Sequence, residues 1–162
     1  MHVFGPPERF PYAPERKYTP EQPAPSDALM RLHAELGVSR VVIVQATCHG
    51  HDNAAMLDAV RQRGEAARGV AVVPTDTDLP TLQALHAGGV RGLRFVMLPR
   101  LVDAPAWPAL QALAARVAPL GWHIELYIEP QQILPWWAEL MALPTPMVID
   151  HMGRPDVRQG VQ

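Results

Sequence analysis

Polar side chains that could do chemistry follow the apolar runs of this sequence, at the points where those runs end. The apolar run Val148-Ile149 leads into Asp150 and His151, and a turn follows at Gly153. In α/β proteins the reactive groups lie at the carboxyl ends of parallel strands. An imidazole in such a place can bind a metal, polarise a carbonyl or transfer a proton.

The same pattern recurs along the chain. His2 stands at what resembles the exit of a strand, and further polar residues end other apolar runs: Gln45, Thr47, His49, Arg94, Arg100, Tyr127 and Glu129. Histidine, arginine and tyrosine side chains on one rim are suited to an anionic substrate. The pattern therefore predicts one shared pocket for an anion.

Each of these residues also has a purely structural interpretation. His2 could belong to a disordered terminus, and His49 is expected to be solvated in its glycine-containing loop. Arg100 could be an ordinary surface residue, and Tyr127 a core residue with a satisfied hydroxyl. Arg94 alternates with another arginine in an apolar run, and a buried arginine is costly unless an anion pairs with it. We therefore expect a specific anionic partner for Arg94.

Strand and helix patterns alternate along the chain. Short β-branched or apolar runs predict strands at 40–45, 69–73, 90–97, 122–128 and 147–151. Capping residues and apolar periodicity predict helices at 26–36, 54–63, 78–87, 105–120 and 135–143. Strands separated by helices need crossover connections, which make the sheet parallel. A (β/α)8 barrel needs about 250 residues, so the 162 residues here fit either a small doubly wound sheet or most of a barrel.

Composition limits the functional classes. The net charge of −2 argues against general affinity for nucleic acid or an anionic membrane. A single cysteine, Cys48, leaves no internal disulfide and fits the reducing cytoplasm. The proline-rich segment 5–25 also carries tyrosine and phenylalanine, which favours an ordered functional loop over a tail.

Four segments together resemble a known family. They are 1–6 (MHVFGP), 44–47 (VQAT), 89–95 (GVRGLRF) and 148–156 (VIDHMGRPD). They are similar to the amidohydrolase-related TIM-barrel hydrolases, and most of all to the 2-pyrone-4,6-dicarboxylate lactonase group. The resemblance implies an α/β fold, a partial TIM (β/α)8 barrel of about six of the eight βα units. It also implies that 1–162 is a single amidohydrolase-related domain, incomplete at both ends.

The resemblance implies roles for individual residues. His2 and His151 match histidines that polarise the lactone carbonyl in this family. Arg94, Arg100 and Tyr127 match positions that hold the substrate's carboxylates, and Tyr18 and Thr47 match further contacts. The family works without a bound metal or other cofactor, and an aspartate after the eighth strand activates the water. No counterpart of that aspartate is expected here, so the chain alone is expected to be inactive.

Two other interpretations stay open. One is a metal-dependent amidohydrolase or decarboxylase, with a divalent metal such as zinc or manganese on the histidines. The other is an inactive fragment or a binding module. The main prediction is a cytoplasmic hydrolase for a small anionic cyclic ester, with neither nucleic acid nor membrane as partner.

Overall fold

A parallel sheet forms the centre of the computed structural model, which describes residues 1–101 and 104–160. Its strands are β1 (Val41–Val44), β2 (Ala67–Ala71), β3 (Val90–Val96), β4 (His123–Tyr127) and β5 (Met147–Ile149). They pair in chain order, and every pairing is parallel. The predicted parallel sheet is therefore confirmed, and all carboxyl ends of its strands lie along one edge.

Helices connect consecutive strands. The helices are α1 (Ser26–Glu35), α2 (Ala54–Arg63), α3 (Leu79–Ala87), α4 (Trp107–Val117), α5 (Pro130–Ile133) and α6 (Trp137–Met141). Asp78 caps α3, because its carboxylate accepts a 2.9 Å hydrogen bond from the Thr81 amide. Among the described residues, no helix has the length and apolar character needed to span a membrane.

The core lies between the sheet and its helices. Ile43, Leu93 and Ile124 point into it from the sheet, and Leu110 and Trp122 complete it, all at most 1% exposed. Burying large apolar side chains of this kind is the main favourable term in folding. The core thereby fixes the strand ends, which carry the candidate site.

The proline-rich N-terminal segment packs against the carboxyl ends of the strands. The Met1 carbonyl accepts a 2.8 Å hydrogen bond from the Val44 amide, and the Cys48 carbonyl accepts one from the Ala13 amide at 2.9 Å. Phe4 forms an antiparallel bridge with Ala24. The expected ordered loop is therefore confirmed, and it brings His2 beside β1.

The prediction of one helix over 135–143 is wrong in its boundaries. Helix α5 already begins at Pro130, where the Glu129 side chain and Gln132 form a capping box. Pro135 follows α5, and it lacks the amide hydrogen needed to continue a helix. The helical pattern therefore resumes only at Trp137, in α6.

The predicted strand 147–151 is wrong at its last two residues. Strand β5 ends at Ile149, and Asp150 begins a tight turn. His151, Met152 and Arg154 all have left-handed backbones, with φ values of 51°, 54° and 53°. Residues other than glycine rarely adopt this backbone conformation unless surrounding contacts impose it. Those contacts are made with β3 and β4, in the candidate site.

Candidate active site

Three charged side chains form a buried ion cluster: Arg94 on β3, Glu125 on β4 and Asp150, which directly follows β5. Arg94 Nη2 lies 2.7 Å from Asp150 Oδ2, and Arg94 Nε lies 3.2 Å from Glu125 Oε1. Arg94 Nε also donates a 2.8 Å hydrogen bond to Asp150 Oδ2. Arg94 and Glu125 are each only 5% exposed. The expectation that Arg94 has an anionic partner is confirmed, and it has two.

Glu125 carries the strongest electrostatic perturbation of the cluster. Burial, followed by the negative charge of Asp150, raises the pKa of Glu125 to about 7, against the opposing effect of Arg94. One guanidinium cannot balance two carboxylates in a buried place. Around neutral pH Glu125 is therefore only partly ionised, which lowers the negative charge buried beside Arg94.

Tyr127 connects this cluster to the surface. The Arg94 guanidinium carbon lies 5.0 Å from the centroid of the Tyr127 ring. The His151 ring meets the same tyrosine edge-on, with ring centroids 4.9 Å apart. On the outer side, Arg154 Nη1 donates a 2.6 Å hydrogen bond to Tyr127 Oη. The ends of β3, β4 and β5 thus bring Arg94, Tyr127 and His151 together.

Tyr127 also belongs to a second group of side chains at the surface, the rim cluster. Its members are Arg100, Tyr127, Glu129 and Arg154. Arg100 Nη2 lies 2.6 Å from Glu129 Oε1, and Arg154 Nε lies 3.5 Å from the same oxygen. Hydrogen bonding from Arg100 holds the pKa of the Glu129 carboxyl below its usual range. A carboxylate between two guanidinium groups is the arrangement in which proteins bind carboxylate ligands.

His2 lies at the other end of this region, beside β1. Its Nδ1 is 2.8 Å from the Val44 carbonyl oxygen, so Nδ1 must carry the hydrogen that the carbonyl accepts. His2 is exposed as a whole residue, yet desolvation of the ring lowers its pKa, and the charge of Arg94 lowers it further. The neutral ring therefore presents Nε2 as an acceptor, and it donates through Nε2 only when it is protonated.

A cavity of about 620 Å³ opens next to the buried ion cluster. Tyr18, Thr47 and Arg94 line it, together with Arg16 from the proline-rich loop. Burial raises the pKa of the Tyr18 hydroxyl, and contact with Cys48 raises it further. The predicted site residues therefore fall into two groups. Tyr18, Thr47 and Arg94 line the cavity, whereas the remaining ones lie outside its lining: His2, Arg100, Tyr127 and His151. Arg94 joins the groups, because it also contacts the Tyr127 ring.

Sequence reasoning missed two arginines and misjudged one histidine. Arg16 lines the cavity, fixed by a 2.8 Å hydrogen bond from its Nε to Thr19 Oγ1. Arg154 lies in the turn after His151, and its place beside a predicted site residue was the available signal. His49 was expected to be solvated, which is wrong. It is 2% exposed, and its Nδ1 lies 2.9 Å from the Pro11 carbonyl oxygen, which holds the loop in place.

The residues that the structure describes do not by themselves fit a metal ion. In 1–101 and 104–160 no group of three or more histidine, cysteine, aspartate or glutamate side chains lies close enough to hold one. The positive charge of Arg94 acts on His2, and it would oppose a cation there. The arrangement is better matched to hydrogen bonding and to carboxylate binding.

Comparison with known sequences identifies related proteins. The sequence profile described as Amidohydrolase matches residues 1–162. A "2-pyrone-4,6-dicarbaxylate hydrolase" of Comamonas testosteroni is 51% identical over 160 residues, which cover 99% of this chain and 52% of that protein. A 4-sulfomuconolactone hydrolase of Hydrogenophaga intermedia is 32% identical over 162 residues, covering 99% and 53%. The chain thus spans about half the length of the curated relatives it matches.

Solved structures show the same fold. One from Acinetobacter baumannii, described as a probable 2-pyrone-4,6-dicarboxylic acid hydrolase with citric acid bound, matches with a TM-score of 0.87 and 29% identity. The match covers 98% of this chain and 59% of that one. The likeness confirms the predicted partial (β/α)8 barrel, in which the parallel strands form a curled part of the barrel wall.

Proposed function

We propose, from the premise that this chain belongs to the amidohydrolase family, that the whole protein hydrolyses a carboxylated lactone by attack of water on the ester carbonyl. The observation that carries the proposal is the arrangement around Tyr127. A guanidinium on each side and the His151 ring meet there at the carboxyl edge of the sheet. This edge is where barrel enzymes place their chemistry.

Cationic and hydroxyl groups would hold the carboxylates of the substrate. Arg100 and Tyr127 offer donors at the surface, and Arg94, which Glu125 and Asp150 hold in place, lines the cavity beside them. Tyr18 and Thr47 offer hydroxyl groups in the neighbouring cavity. Arginine binds carboxylate groups through two parallel N–H donors, and this adds directional specificity to the charge attraction.

His2 and His151 would act on the ester carbonyl. When water attacks, a bond forms between its oxygen and the carbonyl carbon, and the carbonyl oxygen takes up negative charge. Imidazole donors near that oxygen stabilise the charge until the ring C–O bond breaks. The proton of the attacking water would pass to the aspartate that the family resemblance implies after the eighth strand, and the departing ring oxygen would take up a proton in turn. Donation by His2 needs its protonated form, because Nδ1 is already bonded to Val44. A bound dianion would favour that form by raising the pKa of the ring.

The relatives support this substrate class. Two of them are described as hydrolases of a pyrone dicarboxylate and of a sulfomuconolactone, and one relative of known structure is described with citric acid bound. Pyrone dicarboxylates and sulfomuconolactones are small anionic cyclic esters. We therefore assign the protein to the breakdown of aromatic compounds. The unpaired, buried Cys48 supports a reducing compartment such as the cytoplasm.

Steady-state kinetics of the full-length protein test the proposal. With 2-pyrone-4,6-dicarboxylate as substrate, Arg100→Met should raise KM at least about tenfold, because a charged hydrogen bond to a carboxylate is lost. Arg31→Met is the matched control, since Arg31 is also an exposed arginine in an ion pair, on α1. If the wild-type protein opens no carboxylated lactone, the proposal is wrong.

Metal content separates this proposal from the metal-dependent alternative. The full-length protein is dialysed against a chelator, its zinc and manganese are measured, and its activity is assayed before and after readdition. We expect lactone hydrolysis to persist without added metal. Stoichiometric metal whose removal abolishes activity would instead favour the metal-dependent amidohydrolase.

A further inference from the structure

Arg154 is held in a defined position beside Tyr127. Its Nη1 donates a 2.6 Å hydrogen bond to Tyr127 Oη, and its guanidinium carbon lies 5.6 Å from the centroid of the same ring. On the other side, Arg154 Nε lies 3.5 Å from Glu129 Oε1. The guanidinium is thus fixed from two directions at the hydroxyl of a candidate substrate-binding residue.

This hydrogen bond determines where the phenolic proton of Tyr127 can point. A guanidinium can only donate, so Tyr127 Oη is the acceptor in its bond with Arg154. The single proton of the hydroxyl must then point away from Arg154. Among the residues that the structure describes, we find no protein acceptor for that proton. It is therefore available to an oxygen atom of a ligand.

The backbone of the turn supports a specific role for Arg154. Arg154 has a left-handed backbone with φ 53°, and the turn begins at Asp150, which Arg94 holds in the buried ion cluster. Such conformations persist where surrounding contacts impose them, and they concentrate at functional sites. The two ends of this turn are fixed to β3 by Arg94 and to β4 by Tyr127.

The geometry points to Arg154 as a positioning residue that acts through Tyr127. It fixes the phenolic hydroxyl as a hydrogen-bond donor to a carboxylate oxygen of the substrate. This inference rests on the proposed function in one respect, because it takes the ligand to be a carboxylated ring. It adds to that function a residue that the sequence did not indicate.

The test compares Arg154→Met, Arg154→Lys, Tyr127→Phe and the double variant Arg154→Met/Tyr127→Phe in the full-length protein. Arg158→Met is the matched control, because Arg158 lies on the same segment, is exposed and pairs locally with Asp156. KM and kcat are measured with 2-pyrone-4,6-dicarboxylate. Calorimetry measures the Kd of benzene-1,3-dicarboxylate, a planar dicarboxylate that has no ester to hydrolyse.

We expect Arg154→Met to raise KM and Kd about tenfold, the size of one charge-assisted hydrogen bond, and to change kcat by less than about threefold. Arg154→Lys should restore most of the affinity, and Arg158→Met should match the wild type. Because Arg154 acts through Tyr127, the double variant should bind no more weakly than Tyr127→Phe alone.

Two results would overturn the inference. One is unchanged KM and Kd in Arg154→Met, and the other is additive losses in the double variant, which would mean that the two residues act independently. If Arg154→Met does not fold, Arg154→Lys takes its place in the same test. The double variant Arg154→Lys/Tyr127→Phe should then bind no more weakly than Tyr127→Phe alone, and additive losses would overturn the inference. If the wild type hydrolyses no lactone, the proposed function fails, whereas the calorimetric comparison still decides the role of Arg154. If the wild type does not bind the dicarboxylate either, both are wrong.

Discussion

The buried ion cluster and the rim cluster are built from the same kinds of side chains, but they differ in their contact with water. In the buried ion cluster, Arg94 and Glu125 are each 5% exposed. In the rim cluster, Arg100 and Glu129 expose 51% and 30% of their side chains. Water screens an exposed ion pair and competes for its hydrogen bonds, so such a pair contributes little to stability. In a buried pair water cannot replace a lost partner, so removing one charge leaves the other without compensation.

This difference separates the two roles that arginine plays here. Arg94 is committed to two carboxylates, and it holds the start of the turn that carries His151. Arg100 pairs with the exposed carboxylate of Glu129, which a ligand carboxylate can replace, whereas Arg154 lies farther from that carboxylate and is hydrogen-bonded to Tyr127. In the proposed function, the buried ion cluster would therefore serve as a scaffold for the site, and the rim cluster would serve as its exchangeable anion-binding surface.

The largest effect should come from removing the cation of the buried ion cluster. Arg94→Met leaves Glu125 and Asp150 buried without their partner, which should cost about 3–5 kcal/mol of unfolding free energy at pH 8. Urea unfolding of the full-length protein measures this loss. Arg100→Met is the control, and its midpoint should stay close to the wild type. Equal midpoints for both variants would remove the distinction between the two clusters.

The protonation of Glu125 provides a second measure of burial. Its pKa is raised to about 7 in the folded protein, from an ordinary value of 4.5. Between these values the folded state binds the proton more tightly, so stability falls as pH rises. From about pH 5 to 8, the wild type should lose roughly 2.5 kcal/mol relative to Glu125→Gln, which cannot ionise. Parallel stability curves for the two proteins would contradict the raised pKa of Glu125.

His2 should report the field of the buried ion cluster through the pH dependence of catalysis. Desolvation and the charge of Arg94 lower its pKa below the ordinary 6.5. In the proposed reaction carbonyl activation needs protonated His2, so kcat/KM should fall up to tenfold per pH unit above that lowered pKa. The corresponding pKa in kcat should be higher, since the bound dianion favours the imidazolium. A rise of kcat/KM across this range would instead assign His2 as a base.

The contrast between the clusters also explains what the sequence could predict. The strands of the sheet were predicted to within a few residues, because apolar runs and capping residues are local signals. The apolar run around Arg94 predicted that its side chain would be buried with an anionic partner. It could not predict that Asp150 would be a partner, since Asp150 lies 56 residues away along the chain. The same holds for the contact of Arg154 with Tyr127, and for the burial of His49 under the proline-rich loop.

The smallest expected effect tests whether the rim cluster is exchangeable. Glu129→Gln removes the carboxylate that competes with a ligand for Arg100, while an amide oxygen remains to cap α5. KM for 2-pyrone-4,6-dicarboxylate should therefore fall about threefold at low salt, and the difference should shrink at high salt as charges are screened. Glu65→Gln is the control, because Glu65 is an exposed glutamate that pairs with Arg68 away from the strand carboxyl ends. A rise in KM for Glu129→Gln alone would show that Glu129 holds the two arginines in place, so that the rim would be a scaffold as well.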